Sequence, residues 1–160
     1  MSEIVQLNSN AKLSEHFTLG EMTKSNSHPE VYNIPSHEAI ANMKRVCEWL
    51  EVLRKRAASP GPSKGRGAPI IINSGYRSPQ LNRKIGGAPN SNHLTGCAAD
   101  IRVENMEQLI RYAAILLDYA DKTNQEFDEL LIEKNRYGAI WLHFAVRPKG
   151  NRRKVAFINA

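Results

Sequence analysis

Ile40, Met43, Cys47, Leu50 and Leu53 recur at three- and four-residue spacing, which predicts one amphipathic helix with a single buried stripe, opened by Pro35 and capped by Ser36. A second long helix follows its cap, Asn105, and carries Leu109, Tyr112, Ala113, Leu116 and Leu117 on one face. Between them the period changes. Pro69 to Ile72 is a short, β-branched apolar run ending at Ser74-Gly75, and Cys97 to Val103 is another, so both read as strands. Ser78-Pro79 is a cap followed by proline in the first helical position, making Gln80 to Ile85 a short helix stopped by Gly86-Gly87. Another short helix is expected around Leu19 to Lys24. Asp128 to Glu133, Ile140 to Val146 and Val155 to Ile158 read as three final strands, the first two a hairpin around Asn135-Arg136-Tyr137-Gly138. Short helices mixed with hairpin strands predict an α+β fold, a mainly antiparallel sheet with flanking helices.

The 160 residues are 41% hydrophobic and 24% charged, which suits a single domain that needs no disulfide scaffold. Cys47 and Cys97 have no zinc-type Cys-x-x-Cys spacing. Residues 57–68, rich in Pro, Gly and Ser, read as a flexible internal loop; 1–16 is expected to be an N-terminal arm and 17–160 the functional domain. No apolar run approaches the roughly 18 residues of a membrane span, and the N-terminus lacks a basic region followed by an apolar stretch. The expectation is a monomer made in the cytoplasm without a signal peptide and not inserted in a membrane.

Net charge is +6, and its placement matters more than its size. Arg54, Lys55, Arg56, Lys64 and Arg66 form one acid-free basic stretch, and Arg147, Lys149, Arg152, Arg153 and Lys154 another; the rest of the chain is net negative. An anionic polymer is one partner that fits, and solvated loops that maintain solubility are the other reading. A nucleic-acid role is not expected, because there is no recognition-helix motif and no aromatic-rich basic surface.

Two segments hold polar residues that packing does not ask for. His93 lies in a turn-rich loop, and Asp100, seven residues on, interrupts an apolar strand where an unpaired carboxylate is expensive. His143 interrupts the apolar run Trp141-Leu142-His143-Phe144-Ala145-Val146. Two imidazoles and a carboxylate make a three-ligand set with a fourth position open, the layout of a catalytic zinc site. A hydrogen-bonded core histidine also explains His143, and an arginine partner also explains Asp100. His16, His28 and His37 sit in polar N-terminal segments and read as structural or solvated.

Ser91, His93, Gly96, Ala98 and Asp100 fit Ser-x-His-x-x-Gly-x-Ala-x-Asp, and Trp141-Leu142-His143 fits Trp-x-His. With Ser74-Gly75-Tyr76-Arg77-Ser78-Pro79 and Gly86-Gly87-Ala88-Pro89 upstream, the chain resembles the zinc D-alanyl-D-alanine carboxypeptidase family of peptidoglycan peptidases, from about Phe17 to Ile158. The resemblance implies a zinc cofactor held by His93, Asp100 and His143, peptidoglycan peptides as substrate, and Arg77 as a stabiliser of substrate or transition state. It implies Ser91, Tyr76 and Trp141 as substrate contacts, and Cys97 as a small buried residue instead of a fourth ligand.

Where several members of that family place an acid three residues before the last histidine, this chain has Ile140. A related branch instead resembles Phe127-Asp128-Glu129-Leu130-Leu131-Ile132-Glu133, which makes Glu133 the expected general base. For Glu133 to share a face with His143, it must pair with an odd-numbered residue such as 141 or 143; pairing with 140 would turn it away and make Asp128 the base. The expected lack of a signal peptide and the basic runs fit a phage-type lysin released by a holin, or a virion-borne enzyme, held on anionic wall polymer. A non-catalytic zinc-containing wall-binding protein is the alternative.

Overall fold

The computed structural model describes residues 8–57 and 69–160; most of the predicted 57–68 loop lies outside the described residues. Four α-helices, α1 (Leu19–Thr23), α2 (His37–Arg56), α3 (Pro79–Lys84) and α4 (Met106–Thr123), accompany five strands, β1 (Ile72–Ser74), β2 (Ala98–Arg102), β3 (Glu129–Lys134), β4 (Ile140–Ala145) and β5 (Lys154–Asn159). The predicted caps form. Ser36, Ser78 and Asn105 each accept the backbone N–H three residues on, and Pro79 occupies the first turn of α3.

The sheet runs β1-β2-β4-β3-β5, antiparallel except for the parallel pair β3 and β5. The fold is thus the α+β arrangement expected, with one feature that strand propensity does not reveal. The outer edge of β4 is taken by β2, so residues 146–153 cross the end of β3 and deliver β5 to β3's free edge, parallel to it. The hairpin turn is held by Asn135, whose Oδ1 accepts from the N–H groups of Tyr137 and Ala139.

Strand alternation divides the sheet into two faces. Ala99, Ile101, Leu130, Leu142 and Phe144 join the core with α2 and α4, where Trp49 stacks against Phe144, Phe127 and Tyr119. The register puts Asp100, Glu129, Leu131, Glu133, Trp141 and His143 on the other face. β1 obeys this division only through an irregularity in its register: Ile72 pairs with core-facing Ile101, whereas Ser74, two residues on, pairs with Asp100. The predicted strand at Pro69 to Ile72 is accordingly shifted toward Ser74. Leu13, in the segment expected as an arm, is buried in the core.

Candidate metal centre

Each member of the His, Asp, His set is delivered by a different element. Asp100 and His143 are directly cross-strand partners on β2 and β4, so their side chains leave the sheet side by side. His93 comes from a 3-10 turn, Asn92–Thr95, capped by the Ser91 hydroxyl, which accepts the His93 N–H. The turn ends at Gly96 in the left-handed region (φ +77°), where a Cβ would lie 2.5 Å from the Ala39 carbonyl oxygen, so glycine is required on both counts. Gly75 is tight for a different reason. Its Cβ would collide with the backbone of Met22, and its carbonyl accepts from His93 Nδ1 at 2.6 Å.

One ligand atom from each of His93, Asp100 and His143 lies within 4.8 Å of the others, and all three residues are buried. Asp100 Oδ1 is 3.2 Å from His93 Nε2 and 2.9 Å from His143 Nδ1. The far nitrogens are already engaged: His93 Nδ1 donates to Gly75 O, and His143 Nε2 faces Glu129 Oε1 at 3.0 Å. The two nitrogens facing Asp100 are therefore those left to bind a cation. Two imidazole nitrogens and a carboxylate oxygen, with outer partners fixing both tautomers, fit a borderline-soft divalent ion such as zinc.

The electrostatics agree. Burial opposes charge on His143, but hydrogen bonds to Asp100 and Glu129, together with their charges, push it up to about 10. Burial likewise disfavours the Asp100 carboxylate, yet the two imidazoles hold it well below the usual range. His93, fully enclosed, is lowered by burial. A carboxylate that draws a proton onto His143 marks a place where positive charge is favoured.

Arg77 grips the outer oxygen of Asp100. Its NH2 is 3.4 Å from Asp100 Oδ2, while Nε donates to Ser74 Oγ and NH1 to Asn82 Oδ1. Asp100 thus has an arginine partner on Oδ2, while Oδ1 is the oxygen that faces the two imidazoles. Glu133 pairs with Trp141, the odd-numbered register required for it to face the site, and its Oε1 is 3.6 Å from His143 Nδ1. Burial and the nearby Asp100 charge raise its pKa. Asp128 faces elsewhere: it is fully buried and accepts from Arg152 and Asn92.

Arg77, Ser91, His93, Asp100, Glu133, Trp141 and His143 all line one cavity of about 540 Å³. Tyr76 does not line it. The tyrosine borders a neighbouring cavity of about 620 Å³ beside Arg147 and Lys149, and the two cavities share Asn90, Ser91 and Asn92. Cys97 and Cys47 are buried free thiols, as their spacing implied. His16 and His28 pair with Glu51 and Glu30.

Three residues at the centre escaped the sequence reading. Glu129 touches His143, Asn92 donates to both Asp128 and Glu129, and Arg152 reaches both carboxylates. A signal for Glu129 existed, since positions 129, 131 and 133 alternate onto one face. Asn92 and Arg152 left none, being a variable motif position and one cation in a basic run. That run is largely engaged within the fold: Arg147 and Arg152 pair with Asp128, and Arg153 pairs with Asp121.

The fold and donor set first define a class: an α+β domain whose sheet carries a three-ligand, metal-type centre beside a further carboxylate. Comparison with known families then places it. The family model described as Peptidase M15 matches residues 15–119, and the chain belongs to that family. The matched stretch holds Arg77, Ser91, His93 and Asp100 and ends before β3 and β4. A zinc D-Ala-D-Ala carboxypeptidase from Streptomyces albus G is 30% identical over 100 residues, 62% of this chain and 36% of that protein. The match therefore spans little more than a third of the relative's length. Among the described residues, no helix is long and apolar enough to cross a membrane.

Proposed function

We propose that this protein is a zinc-dependent peptidase that hydrolyses peptide bonds in peptidoglycan stem peptides or cross-links, as a D,D-carboxypeptidase or an endopeptidase. The observation that carries this reading is the convergence of His93, Asp100 and His143 within 4.8 Å, with Glu133 3.6 Å from the metal-facing nitrogen of His143. Family membership and the name of the Streptomyces relative support the choice of zinc and of a D-alanyl substrate.

His93, Asp100 and His143 would hold the zinc, which when bound would supply Lewis acidity to a water and to the substrate carbonyl. Glu133 takes the proton from the attacking water onto its carboxylate and returns it to the departing amine as the C–N bond breaks. Its partial burial suits the first step, because a raised pKa makes the carboxylate a better proton acceptor than an exposed glutamate. Arg77, fixed by Ser74 and Asn82, offers guanidinium N–H groups to a substrate carboxylate or to the developing oxyanion. Ser91 and Trp141 border the same cavity as substrate contacts, the indole N–H of Trp141 lying beside the Glu133 carboxylate. Tyr76 reaches substrate only if the chain of the peptide continues past Ser91 into the neighbouring cavity. Exposed Lys149 and Lys154 are the cations of the C-terminal run that we assign to contact with anionic wall polymer.

Metal content and muropeptide cleavage test the reading together. Wild type should bind one zinc and cleave, and His93→Ala should lose both. Glu133→Gln should keep zinc and lose about 10²–10⁴-fold in turnover. Wild-type turnover in Glu133→Gln would remove it as base, and a zinc-loaded wild type that cleaves no muropeptide would leave the wall-binding alternative.

A further inference from the structure

Glu129 is a half-enclosed carboxylate that the proposed chemistry does not use, although it contacts a residue of the metal centre. It opens β3 opposite Ala145, which in turn pairs with Ala98. From beside these small side chains the glutamate reaches His143, two residues along β4. Its Oε1 accepts from His143 Nε2 at 3.0 Å and from Asn92 Nδ2 at 2.6 Å, while Oε2 is 3.4 Å from Arg152 NH2. The same Asn92 nitrogen donates to Asp128, and Asn92 Oδ1 accepts from Arg147 Nε. Asn92 directly precedes His93, so one amide links the placement of both histidines.

We infer that Glu129 is a positioning residue that keeps the proton of His143 on Nε2, leaving Nδ1 as the metal-binding atom and raising its basicity, with Asn92 holding the glutamate in place. The physical basis is the usual one for a ligating imidazole: a carboxylate on the far nitrogen fixes both tautomer and ring orientation. Without it, His143 would be free to place its proton on Nδ1, where it would block the ligand atom. An anionic partner also polarises the ring, which a neutral acceptor does less well.

The inference rests on reading His93, Asp100 and His143 as the zinc set, and zinc affinity separates the two. Chelator competition on the zinc-loaded protein should show Kd weakened about 10- to 100-fold in Glu129→Ala. Glu129→Gln keeps an acceptor oxygen and should weaken it about 2- to 10-fold. In ¹⁵N-labelled zinc-loaded protein, the Nε2-bound proton of His143 should be protected from exchange in wild type and Glu129→Gln and lost in Glu129→Ala. Wild-type affinity in either variant, or a protected proton in Glu129→Ala, would overturn the inference. Should the alanine variant not fold, the affinity of the near-isosteric glutamine variant decides. A wild type that binds no zinc takes down the metal reading itself; one that binds zinc no better than both variants takes down only the role of Glu129.

Discussion

Replacing Asp128 by asparagine separates the role of alternative base that the sequence left open for it from the structural role its contacts show. The carboxylate is fully buried at the point where residues 146–153 cross the end of β3. It accepts from the backbone N–H of Arg152 at 3.0 Å, from that residue's Nε at 3.0 Å and NH2 at 2.8 Å, and from Asn92 at 2.7 Å. Burial works against the charge, but these donors and the nearby Arg147 bring its pKa down to about 2. Measured from an ordinary aspartate, that depression corresponds to about 2 kcal/mol of stability. Full loss of a buried pair costs more, but the Arg152 side chain is half exposed and regains water when its partner goes. Asp128→Asn should therefore lower stability by about 2 kcal/mol at pH 7, or roughly 4–8 °C in Tm. Because the native pKa is the depressed one, this contribution is complete above about pH 5 and disappears as pH falls toward 2. Urea titrations of wild type and variant in chelator, from pH 7 down to the lowest pH at which both fold, read the difference without interference from metal. A gap below about 0.5 kcal/mol at pH 7, or one that does not narrow with acid, would refute the anchor. Turnover of the zinc-loaded variant reports on the other role: with Glu133 as base, it stays within a few-fold of wild type.

Further perturbations probe separate parts of the molecule. Gly96→Ala places a Cβ 2.5 Å from Ala39 O at a positive φ and should cost at least about 2 kcal/mol, read as a fall in Tm. Burial pushes the Cys47 thiol up to about 12, so Ellman's reagent should leave it unmodified in the native protein and react with it on denaturation. Trp141→Phe removes a buried indole N–H beside the Glu133 carboxylate; stability in urea should fall by no more than about 1.5 kcal/mol, while KM for a muropeptide should rise. Glu51→Ala breaks its contacts with Ser14 and His16 and should loosen only the segment before α1, seen as faster amide exchange there with unchanged zinc affinity.

The helices and their ends could be read directly from the chain. Ser36, Ser78 and Asn105 act on N–H groups three residues away, and the apolar stripe of α2 repeats within a turn, so both signals are local. His93, Asp100 and His143 were also legible, because polar residues interrupting apolar strands have few explanations other than a partner. Glu133 was legible only conditionally. Its orientation depends on register, and a one-residue slip against β4 would have turned it away from His143.

What lay beyond the sequence is what depends on segments distant along the chain. The parallel placement of β5, the crossing of 146–153 over Asp128, and the engagement of Arg147 and Arg152 all follow from how the last strand reaches the sheet. Basic residues that resemble a surface run in sequence become partners of buried carboxylates once that crossing is made. The same packing put Glu129 on His143 and Tyr76 beside a neighbouring cavity. The sequence by itself determined the element types, their caps and the chemical identity of the metal-type set, because these depend on short-range spacing and residue chemistry. The tertiary structure alone decided which carboxylate faces the site, which anchors a loop and which supports a histidine, because strand register and chain crossings assign near-identical side chains to different neighbours.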